Sequence, residues 1–174
     1  EVMPFVYYNV AAGEKIARVS ANMAMAADME VRASSTATTG AYSSACQRGL
    51  PAILMERGGG GRFTDSEVQA YKQDVKNIMI RMGLLSGEEV HTVQQKNVTR
   101  AEYLEAETDG LWYPVFSAGD TFAGGAVLGT VRDIWGNLLR EYRADYPGII
   151  LYQTVGLGVK TGDPLIAYGE YADR

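Results

Sequence analysis

The residues best placed for chemistry cluster between Arg48 and Arg62, in the stretch RGLPAILMERGGGGR. A continuous apolar run closes on Glu56, and four glycines, Gly58 to Gly61, follow one residue later. The run reads as a fully buried parallel strand, which puts Glu56 at the carboxyl end of a sheet, where open α/β sheets bind ligands. A carboxylate held there can take and return a proton, and the glycines would let a ligand approach the backbone closely. Arg48 and Arg62 flank the strand, and a guanidinium fork matches a carboxylate in bidentate geometry. The same residues also allow a plainer arrangement, with Glu56 ion-paired to Arg57, Arg62 or Arg48 at the surface.

Residue counts exclude several other chemistries. A catalytic zinc takes three protein ligands, mostly His, and His91 is the only histidine. No metal ligand is therefore assigned within these residues, and His91, in the polar stretch GEEVHTVQQ, reads as solvated. Cys46 is the only cysteine, so no intrachain disulfide forms, and a reducing, cytoplasmic location is expected. A nucleophilic Cys46 would need a histidine partner, and among the small residues of SSACQRG it reads as a buried structural thiol. Sixteen basic against twenty-one acidic side chains give a net charge of −5, with no run of Lys or Arg. Neither nucleic acid nor an anionic membrane is an expected partner. No apolar run approaches the roughly 18 residues that span a bilayer, and the start EVMPFVYYNV lacks the basic head and cleavage site of a secretory signal.

The elements that must position Glu56 follow from periodicity. PFVYY reads as a buried strand, and EKIARVSANMAMAAD as a helix with Ile16, Val19, Met23 and Ala27 toward the core and Met23 and Met25 as core filler. A short strand near Glu30 to Ala33, a short helix in AYSSACQR and the Glu56 strand come next. Thr64 and Glu67 in TDSE form a capping box, opening a helix whose face is Val68, Tyr71, Val75, Ile78, Met79 and Met82, with Gly83 as its C-cap. Alternation of this kind means α/β with a parallel sheet. Three strands do not complete such a sheet, so the chain reads as beginning within a domain.

From about Val98 short apolar runs alternate with Gly, Asp and Pro, the pattern of an all-β module. Phe122, Gly125 and Leu128 recur as Val159, Gly162 and Leu165, and Asp109-Gly110 is echoed by Pro147-Gly148. Two interlocking β-hairpin halves are expected. Concentrated aromatics, Trp112, Tyr113, Phe116, Trp135 and Tyr142, suit either strand packing or a contact between copies, which leaves a homo-oligomer open.

The repeated pattern after Gly-Asp resembles the barrel-sandwich of biotinyl and lipoyl domains, although the hairpin RDIWGNLLREYRAD has no Lys for a swinging arm. The whole order, GLPAILMERGG, the helix running to IRMGLL, then GLWYPVFSAGD through GDPLIAYGE, resembles the C-terminal half of the succinylglutamate desuccinylase/aspartoacylase family. The resemblance implies a partial zinc-carboxypeptidase-like parallel or mixed sheet with helices over residues 1–85, a linker at 86–97 and a β barrel-sandwich over 98–174. It further implies hydrolysis of the amide bond of small N-acyl amino acids, with zinc in the full-length protein but none bound to this chain alone. Glu56 would be the general base and acid, and Arg62 or Arg48 would hold the substrate carboxylate. The family's metal motif, His-x-x-Glu, is absent here. The alternative expectation is a non-catalytic assembly or lid module with a lipoyl-like barrel.

Overall fold

The structure, a computed structural model, describes residues 1–171. The chain forms two compact units, Pro4–Thr99 and Arg100–Tyr171, the second also holding Glu1–Met3.

In the first unit β1 (Phe5–Asn9) is buried along its whole length and lies between β2 (Val31–Ser35) and β3 (Ile53–Glu56). Helix α1 (Glu14–Ala26) makes the crossover that lets β2 run parallel to β1, pairing Phe5 with Val31. A fourth strand, β4 (Lys96–Glu105), starts parallel to β2, pairing Lys96 with Val31. One core of this unit gathers Val6, Tyr8, Ala24, Ala27 and Met29, with Ile53, Met55 and Tyr71 packed against it. The α1 stripe is turned slightly from its expected face: Ser20 and Ala24 are buried, Ile16, Val19 and Met23 are half-buried, and Met25 is exposed.

Two expectations about the Glu56 strand are corrected. After α2 (Ala41–Gln47) the chain returns on the other side of β1, and β3 pairs antiparallel with it, Phe5 opposite Glu56 and Tyr8 opposite Ile53. A short apolar run does not encode strand direction; the connection that delivers it does. β3 is also the edge strand, with one neighbour and with Leu54 37% exposed, so it is not buried on both faces. Glu56 thus stands beside the start of β1, not at the carboxyl ends of parallel strands.

Helix α3 (Asp65–Arg81) opens with the expected capping box: Thr64 Oγ1 accepts from the Glu67 N–H at 3.2 Å, and the Thr64 N–H donates to Glu67 Oε2 at 2.7 Å. Its fully buried residues, however, are Asp74 and Asn77, while Val75, Met79 and Met82 are exposed. The polar pair tolerates burial because each finds partners. Asn77 donates to the Val90 carbonyl at 2.7 Å and accepts from the Val90 N–H at 3.0 Å. Arg81 ion-pairs with Glu89, and Asp28 accepts from the N–H and hydroxyl of Thr92. The polar stretch 86–97 is thereby fastened to α3 and to the end of α1. No helix among the described residues is long and apolar enough to cross a membrane.

The second unit is built from eight strands. β4 (Lys96–Glu105) leads, and the order β4-β11-β9-β6 contains β6 (Thr121–Phe122), β9 (Gly148–Gln153) and β11 (Pro164–Tyr171). A four-stranded antiparallel sheet has the order β10-β5-β7-β8, from β5 (Gly110–Pro114), β7 (Val127–Arg132), β8 (Leu138–Arg143) and β10 (Gly158–Val159). Both layers face one core that includes Trp112, Leu128, Val131, Tyr142, Ile150, Leu165 and Tyr168. No strand pairing closes the two into a barrel among the described residues.

The repeat is visible as pairing. β5 pairs with β7 as β9 pairs with β11, and each two-residue strand crosses to the other half, β6 to β9 and β10 to β5. The Gly125 N–H donates to the Ala144 carbonyl and the Gly162 N–H to the Ala106 carbonyl, both at 2.8 Å, from turns where each glycine has positive φ. Gly110 and Gly148 are equivalent close approaches. A Cβ at Gly110 would lie 2.7 Å from the Arg132 carbonyl oxygen, and one at Gly148 would collide with that of Gly169.

Candidate active site

Glu56 ends β3, and the chain then turns at once. Gly58, Gly60 and Gly61 all have positive φ, the Arg62 N–H donates to the Gly59 carbonyl at 3.1 Å, and α3 starts three residues after Arg62. Only glycine reaches this left-handed backbone without strain. At Gly58 a Cβ would also press within 3.3 Å of the Arg62 carbonyl oxygen. The turn is therefore a tight, side-chain-free wall immediately after the carboxylate.

The Glu56 carboxylate is half-buried, makes no hydrogen bond or ion pair among the described residues, and is pushed above its ordinary range by loss of water around its charged form. The plainer arrangement, a surface ion pair with an arginine, is not what forms. Arg57 turns to Asp74 instead, at 2.8 Å and 2.9 Å, and also donates to the Asp28 carbonyl at 2.8 Å. Asp74 is fully buried and its second oxygen accepts the Asp28 N–H at 2.7 Å. Arg57 lies 5.9 Å over the Tyr71 ring, and the Tyr71 hydroxyl donates to the Met55 carbonyl at 3.2 Å. Burial first, and the nearby Glu56 charge second, raise the Tyr71 phenol above its usual pKa. The carboxylate thus has a neutral phenol near it, while the guanidinium of the next residue is committed to Asp74.

Arg48 caps the C-terminus of α2 and Arg62 sits in the glycine turn; both are exposed, and neither guanidinium has a partner among the described residues. No bond brings either to Glu56. Cys46 is buried, 3.7 Å from the Ser20 hydroxyl. His91 Nε2 is 2.9 Å from Glu89. No group of three or more His, Cys, Asp or Glu side chains converges as metal ligands would among the described residues. Sequence reasoning missed Asp74, Asp28 and Tyr71 as neighbours of the site. An aspartate in an otherwise apolar-facing helical stripe was the available signal, since a buried carboxylate needs a cationic partner.

No family model and no curated protein matches the sequence. Solved structures do. The product-bound ectoine utilization protein EutE (DoeB) from Ruegeria pomeroyi superposes with a TM-score of 0.85 at 22% identity, over 97% of this chain and 53% of that one. A succinylglutamate desuccinylase/aspartoacylase from Rhodobacter sphaeroides gives 0.83 at 21%, over 98% and 55%. An aspartoacylase family protein from Mesorhizobium loti gives 0.78 at 19%, over 100% and 54%. The chain spans about half the length of these structures and has their fold over that half.

Proposed function

We propose that these 174 residues are the C-terminal portion of a zinc-dependent deacylase of the succinylglutamate desuccinylase/aspartoacylase kind, hydrolysing the amide bond of N-acyl amino acids. The observation that carries this reading is Glu56, a half-buried carboxylate without a counter-ion at a strand end, its pKa raised by burial, in a fold shared with proteins of that name. A carboxylate in such a place is a stronger base than one at the surface and holds its proton long enough to deliver it. In this reading Glu56 takes a proton from the attacking water and returns it to the leaving amine nitrogen. The glycine turn gives the substrate room against the backbone, and Arg62 or Arg48 receives its carboxylate. The residues of this chain do not fit a zinc site, so the reading assigns the metal ligands to residues outside these 174, consistent with the half-length match. The barrel-sandwich description of the second unit belongs to the same proposal.

A second reading, a non-catalytic assembly or lid module, is favoured by one feature. The β7–β8 hairpin tip is braced by Asp133, which accepts from the Trp135 and Asn137 N–H groups, yet it holds Ile134 and Trp135 76% and 82% exposed.

In the protein encoded by the full reading frame, Glu56→Gln is expected to leave fold and zinc content intact and to lower turnover by about a hundredfold or more. Activity within a few fold of the parent overturns the assignment. The 174-residue chain alone is expected neither to hold stoichiometric zinc nor to hydrolyse N-acyl amino acids. One tightly held zinc per chain overturns the placement of the ligands elsewhere.

A further inference from the structure

The residue after Glu56 is an arginine, and four glycines follow it. A glycine turn has no side chains to hold it, so the backbone that carries the carboxylate has its side-chain anchorage at Arg57. That anchorage joins three places in the chain. Arg57 Nε and Nη2 both reach Asp74 Oδ2 on α3, at 2.9 Å and 2.8 Å, and Nη2 also donates to the Asp28 carbonyl at 2.8 Å. Asp74 Oδ1 accepts the Asp28 N–H at 2.7 Å, and the Asp28 carboxylate in turn accepts from the N–H and hydroxyl of Thr92 and from the Val93 N–H. Water scarcely reaches the pair, the Asp74 side chain being 0% exposed and that of Arg57 10%.

Stability alone does not call for this arrangement, since two apolar side chains of similar size commonly serve as well as a buried ion pair. What an apolar pair cannot do is control the charge beside a neighbouring carboxylate. A guanidinium one residue away along the chain is the counter-ion closest to hand for Glu56, and an uncompensated one would favour the charged carboxylate. The three charges share one neighbourhood. Beyond burial, which raises it most, the Tyr71 pKa is raised by Glu56 and Asp74 and lowered by Arg57. Other groups packed on β3 do not take the place of Arg57. β1 sets Phe5 opposite Glu56, while Tyr8 donates to Asn97 and Tyr7 stacks on Tyr42. Glu67, beyond the glycine turn, is held by Thr64, and no charged side chain of α1 or α2 bonds the carboxylate among the described residues.

We propose that Asp74 is a positioning residue for Glu56 that acts through Arg57: it holds the guanidinium against α3, so that Glu56 keeps a fixed backbone and no counter-ion, and remains able to take and return a proton. This role rests on the reading of Glu56 as the proton carrier, but the charge balance itself is measurable without turnover.

In the ¹³C-labelled 174-residue chain the Glu56 carboxyl resonance, identified by its loss in Glu56→Gln, is followed against pH, with circular dichroism as the check on folding. Asp74→Asn leaves the guanidinium uncompensated and is expected to weaken proton binding at Glu56 at least about fivefold. Arg57→Met is expected not to weaken it, because the charge left behind is negative. The double variant, again neutral, is expected to lie within about twofold of the parent. All three variants loosen the same anchorage, so a purely structural role for Asp74 would admit water and weaken proton binding in every one. Asp74→Ser repeats the charge removal with a smaller side chain, so the result stands on whichever of the two folds. An unmoved Glu56 in Asp74→Asn, a weakened one in Arg57→Met, or a double variant that stays with Asp74→Asn overturns the proposal. In the protein of the full reading frame, the acid limb of the kcat/KM profile is expected to move to lower pH in Asp74→Asn and to return in the double variant. A limb that stays in place while the resonance moves overturns the role in turnover. Full activity of Glu56→Gln overturns the catalytic reading instead, and the resonance still decides whether Asp74 governs the charge at Glu56.

Discussion

Glu56 illustrates a residue whose environment works against its charged form. Its carboxylate has lost water and gained no cation, so its pKa in the folded chain lies above that of the unfolded chain. The folded state then binds more protons than the unfolded state across the window between the two values, and stability falls as pH rises through it. Glu56→Gln removes this loss. Thermal unfolding is expected to show a higher Tm for the variant at about pH 7.5 and no difference near pH 3, where both side chains are neutral. An equal Tm at every pH would mean that the carboxylate is as well solvated as at the surface. Asp74 behaves oppositely. It is buried with Arg57 and the Asp28 N–H as partners, and truncation would strand a guanidinium that is only 10% exposed. Asp74→Ala is expected to cost about 3–5 kcal/mol, read as a lowered urea midpoint, with much of it restored when Arg57→Met is added.

At the scale of elements, tight backbone approaches and side-chain anchors decide which segments can move. Gly110 and Gly148 mark the same position in the two halves of the repeat, and both bring strand backbones too close for a Cβ. Gly110→Ala and Gly148→Ala are each expected to destabilise the second unit by about 1–3 kcal/mol, the range of other forced overpacking, measured by chemical denaturation. A loss at only one of them would break the equivalence of the halves. The stretch 86–97 looks from its composition like a free connection, yet Asn77 holds both backbone groups of Val90. Asn77→Leu removes those bonds without changing the helix propensity adversely. Limited proteolysis is expected to nick the variant between Ser86 and Gln95 several-fold faster than the parent, since exposed backbone freed of its hydrogen bonds is where cleavage concentrates.

For the whole molecule, the two units differ in how self-contained they are. The buried residues of the core around Trp112, Leu128, Ile150 and Tyr168 all lie between Ala106 and Tyr168, with Leu104 packed against them, which predicts that a fragment of residues 98–174 unfolds cooperatively by itself. A non-cooperative or aggregated fragment would show that this core needs the remaining chain. Composition, periodicity and self-similarity already contained the α/β-then-β order, the capping box at Thr64 and the two-half repeat, because each rests on interactions between residues near in sequence or on a pattern the sequence itself repeats. The family-like order of GLPAILMERGG, IRMGLL and GDPLIAYGE likewise pointed to the fold that the solved structures share. What the sequence left open is long-range. The direction and edge position of β3 depend on where α2 delivers the chain, and an apolar run of four looks the same in either orientation. The freedom of Glu56 from a counter-ion depends on Asp74 arriving from α3, eighteen residues away, to take Arg57. Local pattern determines which elements form; their pairing, and with it the charge and hydration of each functional group, is settled by contacts that only the folded chain brings together.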